Sequence, residues 1–249
     1  MNSSSNPYLK RISSLIGEKD AGLALQFFVG NHRVAGESLD ALARKLGVSR
    51  IVEQRLAFEG GLFKLPDGEL VIKLNSESSF VRKRFTLAHE IAHLLLDTVP
   101  AHRSTNRTDK ALERACDTVA AELLMPSKEA TDFICGLGLP SPEKLQAIAS
   151  RYNVSLQTAA LRVHYDLKLW KCCMGTWSIT PKPRTLWFVG LRRWDDVQPD
   201  PSLLARAATS DASIKIKDLW RRGEFTEQVW LNLLGIGSGR VFGLVDFVS

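Results

Sequence analysis

The sequence has no long hydrophobic segment. Of its 249 residues, 45% are hydrophobic and 24% are charged, yet no apolar run approaches the roughly 18 residues that a membrane-spanning helix needs. The first residues, from Met1 to Pro7, are mostly polar and lead into Lys10 and Arg11 without the apolar stretch of a secretory signal. We therefore expect a cytoplasmic protein that has no membrane partner.

Cysteine is scarce and irregularly spaced. The four cysteines are Cys116, Cys135, Cys172 and Cys173. This number is too small for a disulfide-stabilised scaffold in a chain of this length. Because adjacent cysteines form only a strained disulfide, the pair at 172 and 173 is also expected to be two free thiols.

Basic charge and tryptophan are concentrated in the C-terminal part. Residues 1–150 contain 19 Lys and Arg against 18 Asp and Glu, whereas residues 151–249 contain 14 against 9. All six tryptophans lie beyond residue 169, so a module boundary is expected near Leu169. The basic residues are scattered, which favours a solvated surface over a nucleic-acid-binding one. The tryptophans either line a ligand pocket or pack in the core, and core packing is the preferred interpretation.

Both helical and strand periodicities occur along the chain, which predicts an α+β fold. In the first 165 residues the pattern predicts two short helices within 37–56, a hairpin of 62–65 with 70–74, and helices over 84–95, 110–125 and 142–165, the last broken at 153–155. Residues 97–109 are expected to form a loop. Further along, the pattern predicts strands at 185–189 and 240–248 and helices at 213–222 and 226–234.

The motif from His89 to His93 carries the strongest functional signal. On a helix, residues four apart lie one turn above each other, so His89 and His93 can offer both imidazoles to one Zn²⁺ ion. Glu90 lies about 100° further round the helix and can reach a water on that ion. This arrangement is typical of zinc peptidases, with Glu90 as the general base.

A second predicted helix supplies acidic residues at the same spacing. Glu113 and Asp117 stand at i and i+4, again on one helix face. Glu113 can complete a His₂Glu set with His89 and His93, and Asp117 can accept the ring N–H of a ligand imidazole. The sequence thus predicts one Zn²⁺ per chain.

Two simpler interpretations compete with this metal site. The histidines can be surface residues of an amphipathic helix, although the neighbouring Ala88 and Ala92 leave room for another element to approach. Cys116 can supply a thiolate ligand, but a helical cysteine is more often a small buried apolar group. The zinc site with Glu113 is the preferred interpretation.

The two motifs resemble those of the ImmA/IrrE family of metallo-endopeptidases. The resemblance extends over about residues 37 to 165 and is strongest from Arg84 to Leu96 and from Glu113 to Pro126. It implies a gluzincin-like cytoplasmic zinc peptidase that cleaves transcriptional repressors, typically those guarding prophages, mobile elements or stress genes. One departure is Asp117-Thr118-Val119-Ala120, where many relatives carry Asn-x-Phe-Ala. The change keeps a hydrogen-bonding side chain at 117.

These observations predict an α+β protein in which a zincin-like catalytic domain combines a small sheet, the HExxH helix and the ligand helix. The expected parts are a polar leader (1–36), the zinc-metallopeptidase domain (37–135), a helical helix-turn-helix-like segment (136–169) and a smaller Trp-rich α/β region of unassigned role (170–249).

An extended substrate is expected to add to an edge strand of the small sheet. The predicted edge strand consists of Leu70, Val71, Ile72, Lys73, Leu74 and Asn75. Stabilisation of the oxyanion requires spatial rather than sequential proximity, so several donors stay open. The candidates are His102, Arg103, His164 and Tyr165.

The alternative function is DNA binding by a helix-turn-helix regulator with a structural or vestigial metal site. The segments 41–49 and 148–155 both resemble a first helix followed by its turn, with Ser as the next N-cap. A recognition helix needs several basic or amide side chains, whereas 155–163 offers only Gln157 and Arg162. Scaffold helices are therefore preferred, and the expected partner is a protein substrate, most plausibly a helix-turn-helix repressor.

Overall fold

A computed structural model describes Val29 and residues 38–96, 110–190, 199–222 and 225–247. The chain divides into two compact units, residues 1–129 and residues 130–249. The predicted helical segment 136–169 and the Trp-rich region 170–249 therefore belong to the same unit. The predicted polar leader, Val29 apart, and the predicted loop at 97–109 lie outside the described residues.

The first unit contains a three-stranded sheet and three helices among its described residues. They are α1 (Leu39–Lys45), β1 (Val48–Gln54), β2 (Gly60–Lys64), β3 (Leu70–Asn75), α2 (Phe80–Leu95) and α3 (Lys110–Leu124). The strand order is β1-β3-β2, with β1 parallel and β2 antiparallel to β3. The predicted hairpin is β2 and β3, and the predicted helices at 84–95 and 110–125 are α2 and α3.

The second predicted helix within 37–56 is wrong, because this segment is strand β1. The Ser38 side chain accepts the Ala41 N–H and starts α1, and Gly47, with φ of +92°, turns the chain out of the helix. Val48, Ile51 and Val52 are β-branched and suit an extended backbone. Pairing of Val48–Gln54 with Leu70–Asn75 then completes the strand. Because β3 is distant in sequence, this pairing leaves no signal in the local pattern.

The prediction that residues 70–75 form an edge strand is also wrong, because β3 lies between β1 and β2. The strand in question comprises Leu70, Val71, Ile72, Lys73, Leu74 and Asn75. Val71 and Ile72 are adjacent and therefore face opposite sides of the sheet, yet both are buried. Such a continuous apolar run is typical of a strand covered on both faces. Among the described residues, β1 and β2 form the edges.

The second unit is built on a five-stranded antiparallel sheet with the order β5-β4-β8-β7-β6. Helix α4 (Ser127–Gly136) contains the division between the units. The elements that follow are α5 (Pro142–Tyr152), α6 (Leu156–Leu161), a π-helical turn (Arg162–Asp166), β4 (Cys173–Ser178), β5 (Arg184–Val189), α7 (Pro201–Ala208), β6 (Ile214–Arg222), β7 (Phe225–Gly235) and β8 (Arg240–Phe247).

The core of this unit lies on both faces of the sheet. Leu204 and Ala207 of α7 pack with Trp177 and its neighbours on one face. Met174 of β4 and Phe242 of β8 point to the opposite face of the sheet and are buried as well. Helices α5 and α6 also pack against the sheet. The unit is thus a sheet covered by helices.

Two predicted helices of the second unit, 213–222 and 226–234, are strands β6 and β7. Their ladder runs from Ile214, opposite Leu233, to Arg222, opposite Phe225. The buried apolar residues of β7 recur every second position, at Val229, Leu231 and Leu233, which is the period of a strand rather than a helix. The predicted strands at 185–189 and 240–248 are β5 and β8, and the α+β class is confirmed.

No helix within the described residues is both long and apolar enough to span a membrane.

Gly60 allows β2 to lie close to α2. A Cβ at this position would stand 2.6 Å from Thr86 Cγ2 of α2 and 2.7 Å from the Lys73 carbonyl oxygen of β3. The second of these clashes is with a backbone atom, which cannot rotate away as a side chain can. Gly60→Ala is therefore expected to lower the free energy of unfolding by about 1–3 kcal/mol. Urea denaturation measures this change.

Gly136→Ala is the matched control for Gly60→Ala. Position 136 is at the end of α4, and its added Cβ would meet nothing within 4 Å. This variant should be neutral or slightly stabilising, since alanine favours helix over glycine. Equal effects of the two substitutions would contradict a tight approach of β2 to α2.

Candidate metal centre

Helix α2 places the HExxH side chains against the interior of the first unit. His93 and Glu90 are buried, and His89 is largely so. The His89 and His93 rings lie 5.0 Å apart between centroids, as expected for residues one helical turn apart. The predicted i, i+4 pairing of the imidazoles is therefore present in the structure.

Helix α3 packs against α2 and directs acidic side chains at the two imidazoles. Glu113 Oε2 lies 3.2 Å from His89 Nε2, and Glu113 Oε1 lies 3.9 Å from His93 Nε2. Asp117 Oδ1 lies 2.9 Å from His89 Nδ1. The structure thus brings together the four residues predicted for the metal site, with one carboxylate facing the Nε2 atom of both rings.

The groups around His89 favour a positive charge on or beside its ring. A neutral imidazole has one ring proton, yet each nitrogen of His89 faces a carboxylate oxygen. If Nδ1–H donates to Asp117, the Nε2 lone pair points at Glu113 and needs a cation between them. Burial lowers the pKa of His89, but the hydrogen bond to Asp117 and the charges of Asp117, Glu90 and Glu113 outweigh it and raise the pKa above its usual value.

The donor set fits a divalent metal ion. Zinc binds imidazole nitrogen and carboxylate oxygen at about 2.0–2.2 Å, so two ligand atoms of one tetrahedral ion lie roughly 3.4 Å apart. The two Nε2 atoms stand 3.2 and 3.9 Å from Glu113 oxygens, close to that separation. His89, His93 and Glu113 can therefore hold one ion, while Asp117 fixes the tautomer of His89 from behind.

Cys116 gives a second possible ligand set. His89, His93 and Cys116 each offer a ligand atom within 4.8 Å of one another. The Cys116 Sγ atom, however, lies 3.5 Å from Nδ1 of His93, the opposite nitrogen to the one that faces Glu113. Burial and the nearby charge of Glu113 also raise the pKa of this thiol well above its usual value, whereas a ligand must be a thiolate. We therefore favour Glu113 as the third ligand.

Glu90 is held by the neighbouring sheet. Its Oε2 atom accepts the backbone N–H of Leu62 in β2 at an N···O distance of 2.8 Å. The sequence did not predict the contact between Leu62 and Glu90, because any residue type can donate a backbone N–H. The pair Gly60-Gly61 is the one local signal, since glycines mark a close approach of backbone to another element.

The oxyanion candidates are not gathered at this centre by any described contact. His102 and Arg103 lie outside the described residues. His164 and Tyr165 belong to the π-helical turn of the second unit, where the Gly190 N–H donates to the Tyr165 hydroxyl at 3.2 Å. Their catalytic role stays a prediction.

One of the two predicted helix-turn-helix segments is a helix followed by a turn and a second helix. The prediction for 41–49 is wrong, because the helix α1 is followed by strand β1 and not by a second helix. In the segment 148–155, Asn153 adopts a left-handed conformation and the Ser155 side chain accepts the Thr158 N–H to start α6. Arg162, counted as a DNA-reading residue, is buried and pairs with Asp166 at 3.2 Å, which leaves Gln157 as the exposed polar candidate.

Four of the six tryptophans have described side chains. Trp170 and Trp177 are buried, and Trp187 and Trp230 are half-buried. Cys172 and Cys173 are free and buried. Burial and the charge of Asp246 raise the pKa of Cys172 to about 12 and that of Cys173 to about 11, so neither thiol has the thiolate character of a reactive cysteine.

The first unit, with its small sheet and its histidine-carboxylate cluster, places the protein among those that have an HExxH motif in a candidate metal centre. Residues 43–164 match the IrrE N-terminal-like domain family. The resemblance to the ImmA/IrrE family predicted from the motifs is confirmed.

Two curated relatives carry the same name. The chain is 35% identical over 96 residues to the radiation response metalloprotease IrrE of Deinococcus deserti, covering 36% of this chain and 34% of the relative. It is 35% identical over 97 residues to the protein of that name from Deinococcus radiodurans, covering 36% and 29%. The match thus spans about a third of the length of these relatives.

A solved structure shares the fold. It is a Mycobacterium tuberculosis transcriptional regulator, with a TM-score of 0.51 at 12% identity, covering 99% of this chain and 89% of that one. At this identity the likeness is one of fold alone.

Substitution of the ligands is expected to remove the metal. His89→Ala, His93→Ala and Glu113→Gln should each lose most of the zinc that the wild type retains after dialysis, as measured by elemental analysis per chain. Cys116→Ser and Glu90→Gln should keep it. Stoichiometric zinc in a His89→Ala/His93→Ala variant would overturn the site, and loss of zinc in Cys116→Ser would reassign the third ligand.

Asp117 is expected to act on the metal through His89. Asp117→Ala should weaken zinc affinity by about 10- to 100-fold without abolishing binding, because the imidazole loses the acceptor that orients it. A competition titration with a chromogenic chelator measures the affinity. Asp117→Asn keeps one acceptor oxygen and should lie between the two, whereas wild-type affinity in Asp117→Ala would contradict this role.

Proposed function

We propose that the protein is a zinc-dependent endopeptidase with a zincin-like catalytic domain. The observation that carries the proposal is that the Nε2 atoms of His89 and His93 both face the Glu113 carboxylate. The Glu90 carboxylate lies on the same helix as the two histidines. His89, His93 and Glu113 would hold one Zn²⁺. The family match over residues 43–164 and the metalloprotease names of both curated relatives support this assignment.

The chain's own residues provide the proton transfer. When bound, Zn²⁺ polarises the peptide carbonyl and lowers the pKa of the attacking water. Glu90 takes the proton from that water as general base and passes it to the leaving amine. Asp117 keeps His89 in the tautomer whose Nε2 lone pair faces the ligand position.

The proposed substrate is an extended segment of another protein. Since β3 is central, the strand that can pair with a substrate near Glu90 is β2, whose Leu62 already contacts that residue. Pairing along a strand requires a chain that is free to extend, which favours linkers over folded domains. We therefore propose site-specific cleavage of a transcriptional repressor in the cytoplasm, the substrate class that the family resemblance implies.

The alternative is a DNA-binding regulator with a structural metal site. The helix-turn-helix geometry of α5 and α6 and the basic excess beyond residue 150 favour it. Against it, Arg162 is buried and α5 and α6 both pack on the sheet of their own unit. A recognition helix needs more exposed polar side chains than Gln157 provides, so we prefer the peptidase.

Co-expression with repressors encoded near the gene tests the substrate. One repressor should be cut once, in a linker or another exposed segment, and the Glu90→Gln variant should leave it intact while retaining zinc. Gel electrophoresis and mass spectrometry of the fragments identify the cut.

Three outcomes would contradict this proposal. Cleavage that persists in Glu90→Gln would remove the general base from the mechanism. Digestion of unfolded casein at a comparable rate would refute restricted specificity. Absence of cleavage together with steeply salt-dependent binding to duplex DNA would favour the regulator instead.

A further inference from the structure

We infer that the backbone amide of Leu62 makes the release of the general base depend on substrate pairing, and so determines the specificity for extended chains. The amide holds Glu90 when no substrate is bound and is given over to a substrate carbonyl when a chain pairs with β2. This inference rests on the proposed peptidase function.

The ladder with β3 fixes which amides of β2 face outward. Leu65 N–H donates to the Glu69 carbonyl at 2.8 Å and Asn75 N–H to the Glu59 carbonyl at 2.9 Å, so odd-numbered residues of this strand direct their backbone groups toward β3. In an antiparallel pair the direction alternates along the strand. The backbone groups of Gly60, Leu62 and Lys64 therefore face away from β3. Among the described residues, no strand pairs with β2 on that side.

The Leu62 amide donates to Glu90 along this outward edge. The N···O distance is 2.8 Å and the Glu90 side chain is buried, with 3% of the residue exposed. A bond from an amide to a carboxylate is charge-assisted and stronger than one between neutral groups. Strand β2 approaches α2 closely at Gly60, where a Cβ would overlap Thr86 and the Lys73 carbonyl. Glu90 is thus fixed to the strand on which a substrate would align.

The backbone N–H of Leu62 can make one well-aligned hydrogen bond at a time. A substrate chain that pairs with β2 in register presents a backbone carbonyl to Leu62, and this carbonyl competes with Glu90 for the proton of the hydrogen bond. The proton stays on the Leu62 nitrogen throughout, and only its acceptor changes. The Oε2 lone pair that accepted the Leu62 N–H then becomes an additional acceptor for a proton of water. A peptide too short to reach β2 leaves Glu90 bound to the amide.

Amide hydrogen exchange tests the resting bond without reference to activity. In ¹⁵N-labelled full-length protein, the Leu62 amide should exchange about tenfold or more slowly than the Lys64 amide, the size expected for one charge-assisted hydrogen bond. Glu90→Ala should bring Leu62 to the level of Lys64, while Glu90→Gln, which keeps an acceptor oxygen, should lie between. Exchange at Leu62 that does not respond to Glu90→Ala would overturn the inference.

Proline variants test the release step with two probes. Leu62→Pro removes the amide at an outward position, where an edge strand tolerates proline. It should lower kcat/KM for reduced, carboxymethylated casein and raise kcat/KM for a blocked dipeptide several-fold, because Glu90 no longer accepts the Leu62 N–H. Structural damage alone would not produce the gain. Lys64→Pro removes an outward amide that does not donate to Glu90, and it should not raise hydrolysis of the dipeptide.

The two proposals fail in different ways. A parallel loss on both probes in Leu62→Pro, with zinc content retained, would overturn the coupling and leave the peptidase assignment standing. A zinc-loaded wild type that hydrolyses neither probe nor any repressor would count against the peptidase, and the exchange experiment would still decide whether Leu62 holds Glu90.

Discussion

The site depends on the packing of two helices, α2 and α3, that each present polar residues one turn apart. Helix α2 contributes two imidazoles and α3 contributes two carboxylates, so that both nitrogens of His89 meet an acidic oxygen. Two carboxylates beside a largely buried imidazole favour a positive charge there, from a proton or a metal ion. The electrostatics of this contact therefore favour a cation site before any other feature is considered.

The sheet of the first unit contributes through its backbone. Strand β2 approaches α2 closely at Gly60, and Leu62 then donates to Glu90. In our proposal, an incoming chain pairs with the outward edge of the same strand. In our proposal, the five residues of β2 both align the substrate and hold Glu90 through a backbone amide. A backbone donor has no sequence motif, so a motif search finds Glu90 and overlooks its partner.

Elements with a strong local signal were predictable. The helices at α2 and α3 follow from apolar residues at helical spacing, and the hairpin of β2 and β3 from Pro66 and Gly68 between two apolar runs. Strands β1 and β6 were not predictable as such, because their residues also suit a helix and distant pairing decided the outcome. For β7 the period of two at Val229, Leu231 and Leu233 was a signal that a stricter comparison of periods would have used.

The sequence by itself determined the chemistry of the site. Two histidines four residues apart, a glutamate between them and an acidic pair at the same spacing specify the donors and the base, because a helix converts spacing into a shared face. Only the tertiary structure decided which carboxylate faces Nε2, on which side of His93 the Cys116 thiol lies, and that β2 rather than β3 is the edge beside Glu90. Those choices depend on how helices and strands distant in sequence pack, and no local pattern encodes that geometry.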